Sequence, residues 1–439
     1  MVKVLKFGGT SLASAEQFKK VAEIIKAEKS RRYVIASAPG KRFSEDIKVT
    51  DLLISCASAL PDINKAAEIF AEIEERYNQI IRDLGIELSL EADFAAIKAK
   101  FNEENVYDFI VSRGEYLNSK ILAKFLGYKF IDAADCIFFG ADGKVNFDKT
   151  YKTIVKFAHS AEYAVFPGFY GTDINGNVKT FSRGGSDITG SIVAAGIGAD
   201  IYENWTDVSG FLMVDPRIVE NPKPIAEITY RELRELSYMG ATVLHEDAVF
   251  PVHKTGIPIN IRNTNSPEDS GTMIVKKATK ASSDTIITGI AGMKGFSAIY
   301  IEKDMMNGEI GFTRKVLSVL ENRNINFEHL PSGIDTMTIV LKSDYIADCE
   351  QALIEEISKE VNPDSIYVYD NLALIAVVGH GMQKSKGTAS KLFSALANAG
   401  INIRMIDQGS SELNIIVGIN EEDYVSAIKA IYNKFVFGV

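Results

Sequence analysis

A repeat near the C-terminus constrains the fold most strongly. "GFTRKVLSVLENRNINFEHL" from Gly311 and "GTASKLFSALANAGINIRMI" from Gly387 align without a gap at an offset of 76 residues (387 − 311), with Gly, Lys, Ser, Leu, Asn, Ile and Asn coincident. Lys315 falls on Lys391 and Asn326 on Asn402. Each copy follows a strand-like run, Phe296 to Ile301 or Leu372 to Val378, and precedes another, Thr336 to Leu341 or Leu413 to Ile419. The helical patterns "IADCEQALIEEISK" and "EEDYVSAIKAIYNKF" close the two copies. Two related βαββ units, each with a closing helix and final strand, are predicted, the split-βαβ arrangement. Such pairs bind regulators or one another, or act only as a dimerisation module.

The region before the repeat has another rhythm. From Met1 to about Arg262, apolar runs such as "YVIASA", "YAVFPGF", "IYENWTDV" and "IPINIR" alternate with helical patterns, which predicts an open α/β sheet. Asn175-Gly176 in "DINGNVK" signals a hairpin, and Ser266 to Ser283 is polar and reads as a connection. At 439 residues the chain exceeds one ordinary core, so two or three domains are expected.

The formal charge of −10 argues against a broad nucleic-acid or anionic-membrane surface, so an anionic ligand has to be met by local cations. No apolar run approaches roughly 18 residues, and no leader pattern opens the chain, so a soluble cytoplasmic protein is expected. Cys56, Cys136 and Cys349 are isolated, as in a reducing compartment, and the five histidines show no zinc spacing.

Three turns concentrate the chemistry. "KVLKFGGTSLAS" runs from a buried-strand pattern through Gly8, Gly9, Thr10 and Ser11 into a helix whose start, "SAEQ" from Ser14, reads as a capping box. Glycines, free N–H groups at a helix start and Lys6 alongside suit a phosphate; a plain strand-to-helix turn beside a surface lysine would look the same on this stretch alone. "ASAPGK", Ala36 to Lys41, ends the next expected parallel strand. "FSRGGSD" places Arg183, Gly184, Gly185, Ser186 and Asp187 before another helix. Ligands of such sheets sit beyond the carboxyl ends of the strands, where all three turns fall. No Walker A pattern is present, and "GIGADI" from Gly196 follows a helix, so it reads as a helix-end loop.

In this order, "KFGGTS", "VSRGE" ending at Glu115, "RGGSD", "WTDVSG" followed by "DPR", "GATVLHE" and the paired repeat resemble the aspartate kinases of the amino acid kinase family over essentially the whole chain. The resemblance implies a three-layer αβα amino acid kinase (carbamate kinase-like) fold over 1–280. A regulatory region over 281–439 would hold two ferredoxin-like ACT units, about 296–365 and 372–439. It implies ATP-dependent phosphorylation of L-aspartate to 4-phospho-L-aspartate, the first step toward lysine, threonine and methionine. Mg2+ would accompany ATP, held mainly by phosphate oxygens and water, with no metal ligand assigned to the chain.

On that resemblance Lys6 bridges the β- and γ-phosphates, Asp187 orients Lys6, and Gly8, Gly9 and Ser11 offer donors to the transferred group. Arg183 suits the substrate α-carboxylate through a bidentate fork and Glu115 its ammonium, with Ser37, Thr50, Gly184, Gly185 and Ser186 completing the pocket. Asp187 could instead only cap its helix, and Glu115 could be a solvated helix residue, although the adjacent Gly114 points to function. Thr206, Asp207 and Arg217 are implied at the nucleotide, while Trp205 reads as sheet packing. Two departures stand out. Thr242 replaces a lysine of "GAKVLHP", with Glu246 after His245, and the longer "GKRFSEDIKVTDLL" could place Lys41 or Arg42 over the site. In the first ACT unit Met306, Phe312, Phe327 and Glu328 match effector positions. The anion of Glu328 favours lysine as effector, with threonine next, and it could equally be a solvated strand-end charge. A homodimer through the ACT units, or a tetramer, is expected, with neither nucleic acid nor membrane as partner. The alternative is a non-catalytic amino-acid sensor, distinguished by assaying ATP consumption with aspartate and with glutamate.

Overall fold

The computed structural model describes residues 1–438 apart from Arg183, Thr242, Val243, His245 and 280–284. The chain forms two compact units. The first is Met1–Phe211, Pro224–Tyr230 and Val243–Ala278; the second is Leu212–Lys223, Arg231–Thr242 and Thr279–Val439.

In the first unit the strands are β1 (Lys3–Phe7), β2 (Arg31–Ala36), β3 (Lys129–Phe130), β4 (Ala164–Pro167), β5 (Tyr170–Thr172), β6 (Val178–Thr180), β7 (Ile201–Thr206), β8 (Glu227–Thr229), β9 (Ile259–Asn263) and β10 (Thr272–Val275). Among the described residues one eight-stranded sheet runs β3-β4-β2-β1-β7-β9-β10-β8. Its ladders are parallel except between β9 and β10. The hairpin expected at Asn175-Gly176 joins β5 to β6. The stretch read as a polar connection contains β10, whose Thr272 and Ile274 are fully buried. Four residues flanked by polar loops are too few to display a strand period.

Helices cover both faces of this sheet, as the three-layer expectation required. On one side α1 (Ala15–Lys26), α2 (Val49–Ser58), α3 (Ile63–Leu84), α4 (Glu91–Ala99) and α5 (Tyr107–Leu126) share a core with Leu5, Phe7, Val34 and Trp205. On the other lie α6 (Phe147–Ser160) and α7 (Gly185–Ile197), with α7 packed on β1, β2 and β7. Ser14 caps α1 by accepting from Gln17 N, and α7 ends at a left-handed Gly198, so "GIGADI" is the helix-end loop expected.

In the second unit β11 (Gly289–Glu302), β12 (Thr336–Lys342), β13 (Ser365–Val378), β14 (Met405–Asp407) and β15 (Asn414–Asn420) form an antiparallel sheet, ordered β12-β11-β13-β15-β14. The helices Phe312–Asn322 and Thr388–Asn398 occupy equivalent places in the two repeats. Their capping residues Gly311 and Gly387 both have φ 83°, where a side chain would be strained, which accounts for the glycine shared by the copies. Strands β11 and β13 are longer than either repeat requires, because each serves both. Phe296–Glu302 pairs with β12 and with the first half of β13; Gly289–Met293, beyond a register shift, pairs with Leu374–Val378. Among the described residues no strand follows the helix Tyr424–Val436 where the closing strand of the second repeat was expected; the place beside Leu374–Val378 is taken by Gly289–Met293, from the far side of the first repeat. Each repeat keeps its own apolar core, around Ile299, Val316 and Ile339 in the first and Ile375, Leu392 and Val417 in the second.

Segments drawn from earlier in the chain complete this unit. Ile290 N donates to Met213 O (2.7 Å), the Glu232 carboxylate accepts from Thr288 Oγ1 (2.6 Å) and from His380 N (2.9 Å), and Asn414 Nδ2 donates to Glu235 (2.7 Å).

Trp205, the sole tryptophan, is fully buried against Phe7, and its Nε1 donates to Glu203 (2.9 Å). The Glu203 carboxylate, itself buried, also holds Lys3 Nζ at 3.0 Å and Arg31 Nε at 3.0 Å. Removing one partner of a buried pair costs more than the pair contributes, since the other charge is stranded. Glu203→Ala should therefore destabilise the first unit by about 3 kcal/mol, measured by denaturant titration of Trp205 fluorescence.

Candidate active site

The site is built where parallel strands end. Lys6 on β1 and Asn204 on β7 are directly paired in register, so their side chains leave the same face of the sheet side by side. Both reach Asp187 in the first turn of α7: Lys6 Nζ lies 2.7 Å from Asp187 Oδ1, and Asn204 Nδ2 donates to the same oxygen at 2.9 Å. The cap of α7 is Gly184, in the left-handed region, so Asp187 does not cap its helix and its carboxylate is committed to the lysine. Lys6 is almost fully buried, so one cation is fixed at the sheet edge by a charge-assisted contact.

The turn after β1 was expected to offer donors from Gly8, Gly9 and Ser11, and the structure narrows this. Gly8 N continues the ladder by donating to Trp205 O (3.0 Å), so its N–H is spent. Ser11 is buried, with its N–H donated to Gly8 O and its hydroxyl paired with Thr264 Oγ1 at 2.8 Å. Among the described residues the N–H groups of Gly9 and Thr10 have no acceptor within the chain and are the donors available to an anion.

The turn after β2 lies directly on this one. Gly40 N donates to Gly9 O (2.8 Å), and a Cβ on Gly40 would lie 2.6 Å from Thr10 N. Ser37 O accepts from Asn118 Nδ2 on α5 (2.7 Å), and a Cβ on Gly114 would lie 2.8 Å from Ala38 Cβ, so α5 can approach only because residue 114 is glycine. That approach brings Glu115 to the Ala38 N–H. Glu115 is buried and its Oε2 has no hydrogen-bond partner. Burial pushes its carboxyl up to about 8, against the opposing pull of the Ala38 N–H and the charges of Arg113 and Lys6. An unsatisfied carboxyl oxygen in such a place suits a cationic group of a ligand.

The third turn closes on the same edge. Gly185 packs its backbone on Phe169, where a Cβ would lie 2.8 Å from Phe169 Cα, and Ser186 packs against Gly168 after β4. Thr50 sits half-buried in the first turn of α2. Thr206 follows the same edge on β7, its hydroxyl donating to Asp207 at 3.2 Å. Arg183, Thr242 and His245 lie outside the described residues. Lys41 and Arg42, expected over the site, are engaged in their own loop: Lys41 Nζ donates to Ser44 O (3.0 Å) and Arg42 is bidentate to Asp46.

The remaining sequence-predicted residues belong to the second unit. Arg217 is exposed and bidentate to Asp215. Met306 and Phe312 are buried in the core of the first repeat, Phe327 is exposed, and Glu328 accepts a short hydrogen bond from Tyr238 Oη. Sequence reasoning missed Asn204, Thr264 and Asn118. A polar residue inside the apolar strand "IYENWT" was the available signal for Asn204.

Comparison with known proteins gives this geometry a lineage. The amino acid kinase family model matches residues 1–263 and an ACT domain model matches residues 375–435. A kinase of the amino acid kinase family with an attached ACT domain is the class so defined. Aspartokinase 3 of Bacillus subtilis is 41% identical, over 100% of this chain and 99% of its own length. The crystal structure of the Clostridium acetobutylicum aspartate kinase, described as an allosteric enzyme, superposes with TM-score 0.92 at 52% identity, covering 99% of both chains. Aspartokinase III of E. coli shares the fold, with TM-score 0.73 at 22% identity over 100% of both chains. The chain belongs to the aspartokinases.

Glu115 also carries a stability consequence. A carboxyl raised from 4.5 to about 8 binds its proton more tightly in the folded chain, so its contribution is fully present below about 4.5 and is lost as pH rises to about 8. Glu115→Gln, which does not titrate, should gain in melting temperature relative to the parent between pH 5 and pH 8.5, read by thermal denaturation across that range.

Proposed function

We propose that the chain transfers the γ-phosphoryl group of ATP to the side-chain carboxylate of L-aspartate at the edge where the turns of Gly9, Gly40 and Gly184 meet. The observation that carries this is the Lys6–Asp187–Asn204 cluster set beside the unpaired Glu115 carboxyl. A reference aspartate carboxyl has a pKa of about 3.9, so the nucleophile is ionised at neutral pH and needs no general base. The obstacle is repulsion between carboxylate and triphosphate, on the order of 4 kcal/mol per charge pair at 4 Å in a partly screened site. Catalysis is then positioning and neutralisation.

Lys6 neutralises charge between the β- and γ-phosphates, held in place by Asp187, which Asn204 holds in turn. The Gly9 and Thr10 N–H groups face the transferred group. Glu115 takes the substrate ammonium and Arg183 its α-carboxylate, with Ser37, Thr50 and the Gly184–Ser186 turn as walls. Thr206 and Asp207 serve the nucleotide. Among the described residues no cluster of three or more His, Cys, Asp or Glu forms a metal cage, so Mg2+ would be bound through the phosphates and water, where it adds positive charge. Aspartokinase III of E. coli has been solved with aspartate and ADP, and with lysine and aspartate; the proposal gives this chain ligands of the same classes, with lysine as effector and threonine next. Dimerisation through the ACT units and a cytoplasmic location complete the proposal. No described helix is long and apolar enough to cross a membrane.

Lys6→Ala should lower aspartate-dependent ATP consumption by about a thousandfold while leaving the fold intact, as read by circular dichroism, and glutamate should not replace aspartate. Near-parental turnover would refute the assignment. Millimolar lysine should lower activity and raise the melting temperature; if it does neither, the same assay with threonine identifies the effector.

A further inference from the structure

The loop from Gly40 to Lys48 is longer than the resemblance requires, and its Lys41 and Arg42 turn away into their own loop. What holds it is Arg76, in the middle of α3. This guanidinium is 5% exposed, on a helix whose other inward residues, such as Phe70, Ile73 and Ile80, make an apolar core. Its Nη1 donates to Ile47 O (2.9 Å) and lies 3.0 Å from Asp46 Oδ2, and its Nη2 makes a short hydrogen bond to Gly40 O. All these contacts end on one loop.

We propose that Arg76 is a positioning residue for phosphoryl transfer: by gripping the Gly40 carbonyl and the Ile47–Asp46 end of the loop, it sets the height of the Gly40 turn beneath the phosphate-facing turn at Gly9. The proposal rests on the active-site reading given above. Gly40 touches Gly9 and Thr10 backbone to backbone, with no side chain to absorb a displacement, so a shift of the Gly40 carbonyl passes directly to the N–H groups facing the anion. The same segment bears the Ala38 N–H that meets Glu115. Tyr77, the next residue on α3, donates to Gly114 O at 2.7 Å, so one helix turn fixes both the loop and the stretch of α5 that carries Glu115.

A purely structural role accounts poorly for the choice of residue. Burying a guanidinium with its carboxylate is costly, and an apolar pair in place of both partners usually packs as well or better. Arginine is favoured here because its planar fork can hold two carbonyls and a carboxylate at once. Asp46, also gripped by Arg42, is held far below the usual carboxylate range by those hydrogen bonds, so the arrangement stays charged across the working pH range.

The test uses the full chain. Arg76→Met fills the space without the fork; it gives up some melting temperature, since Asp46 is left with Arg42 alone, but the folded variant should have kcat/KM for aspartate lowered by about a hundredfold, with the KM for ATP changing by less than about threefold. Arg76→Lys should recover about a tenth of the parental value. Millimolar guanidinium should partly restore Arg76→Ala but leave Arg76→Met unchanged. Asp46→Asn, which loosens the same contacts from the loop side but keeps an acceptor, should lower kcat/KM by about tenfold with some loss of melting temperature at neutral pH, and it decides the matter should the Arg76 variants not fold. Parental kinetics in a folded Arg76→Met or in Asp46→Asn would overturn the proposal. Lys6→Ala, assayed alongside, separates the two ideas: activity there refutes the active-site reading, whereas an inactive Lys6→Ala with parental Arg76 and Asp46 variants refutes only the role of Arg76.

Discussion

The ion pair between Lys6 and Asp187 is the constraint around which the first unit is organised. An ammonium at the end of a central strand, nearly excluded from water, is tolerable only with a fixed counter-charge. That requirement ties β1 to the first turn of α7, and through Asn204 to β7. The turn of α7 can come so close because residues 168 and 185 are glycines pressed against Ser186 and Phe169. A cation placed before any ligand arrives spares the reorganisation that would otherwise accompany charge transfer.

Around this pair the site is made largely of main chain. Gly9, Gly40 and Gly114 let two loops and a helix pack at distances that leave no space for a methyl group. Turns far apart in sequence therefore share one small volume, and side chains that do enter it, Lys6 and Glu115, are few and nearly buried. Opposite fates follow from their surroundings. The lysine has its carboxylate, whereas Glu115 has an N–H and an empty oxygen and clings to its proton.

Much of this was legible in the residues. The 76-residue offset between Gly311 and Gly387 announced two copies of one motif, and the order of the glycine turns announced the family and the sheet edge. Pairings across the sheet were not. Nothing in one sequence says that residue 6 faces residue 204, that the Gly8 N–H is consumed by the ladder, or that Ser11 spends its hydroxyl on Thr264. Arg76 in "EERYNQII" stands among other charged and polar residues, and local pattern cannot reveal which of them turns inward. The short β10 was hidden by its polar flanks. Strands β11 and β13 were read only in part, because a repeat alignment finds what the copies have in common and passes over what they share physically.

That sharing makes the duplication hard to undo. Copies arising in tandem are ordinarily beads on a string, each removable at its linker. Here the opening strand of the pair belongs to the closing bead, so a cut just ahead of Phe296 would spare the first copy yet strip its sibling of a border, leaving Leu374–Val378 as a bare apolar edge ready to recruit another chain. A tug on either copy is carried along unbroken peptide into the other.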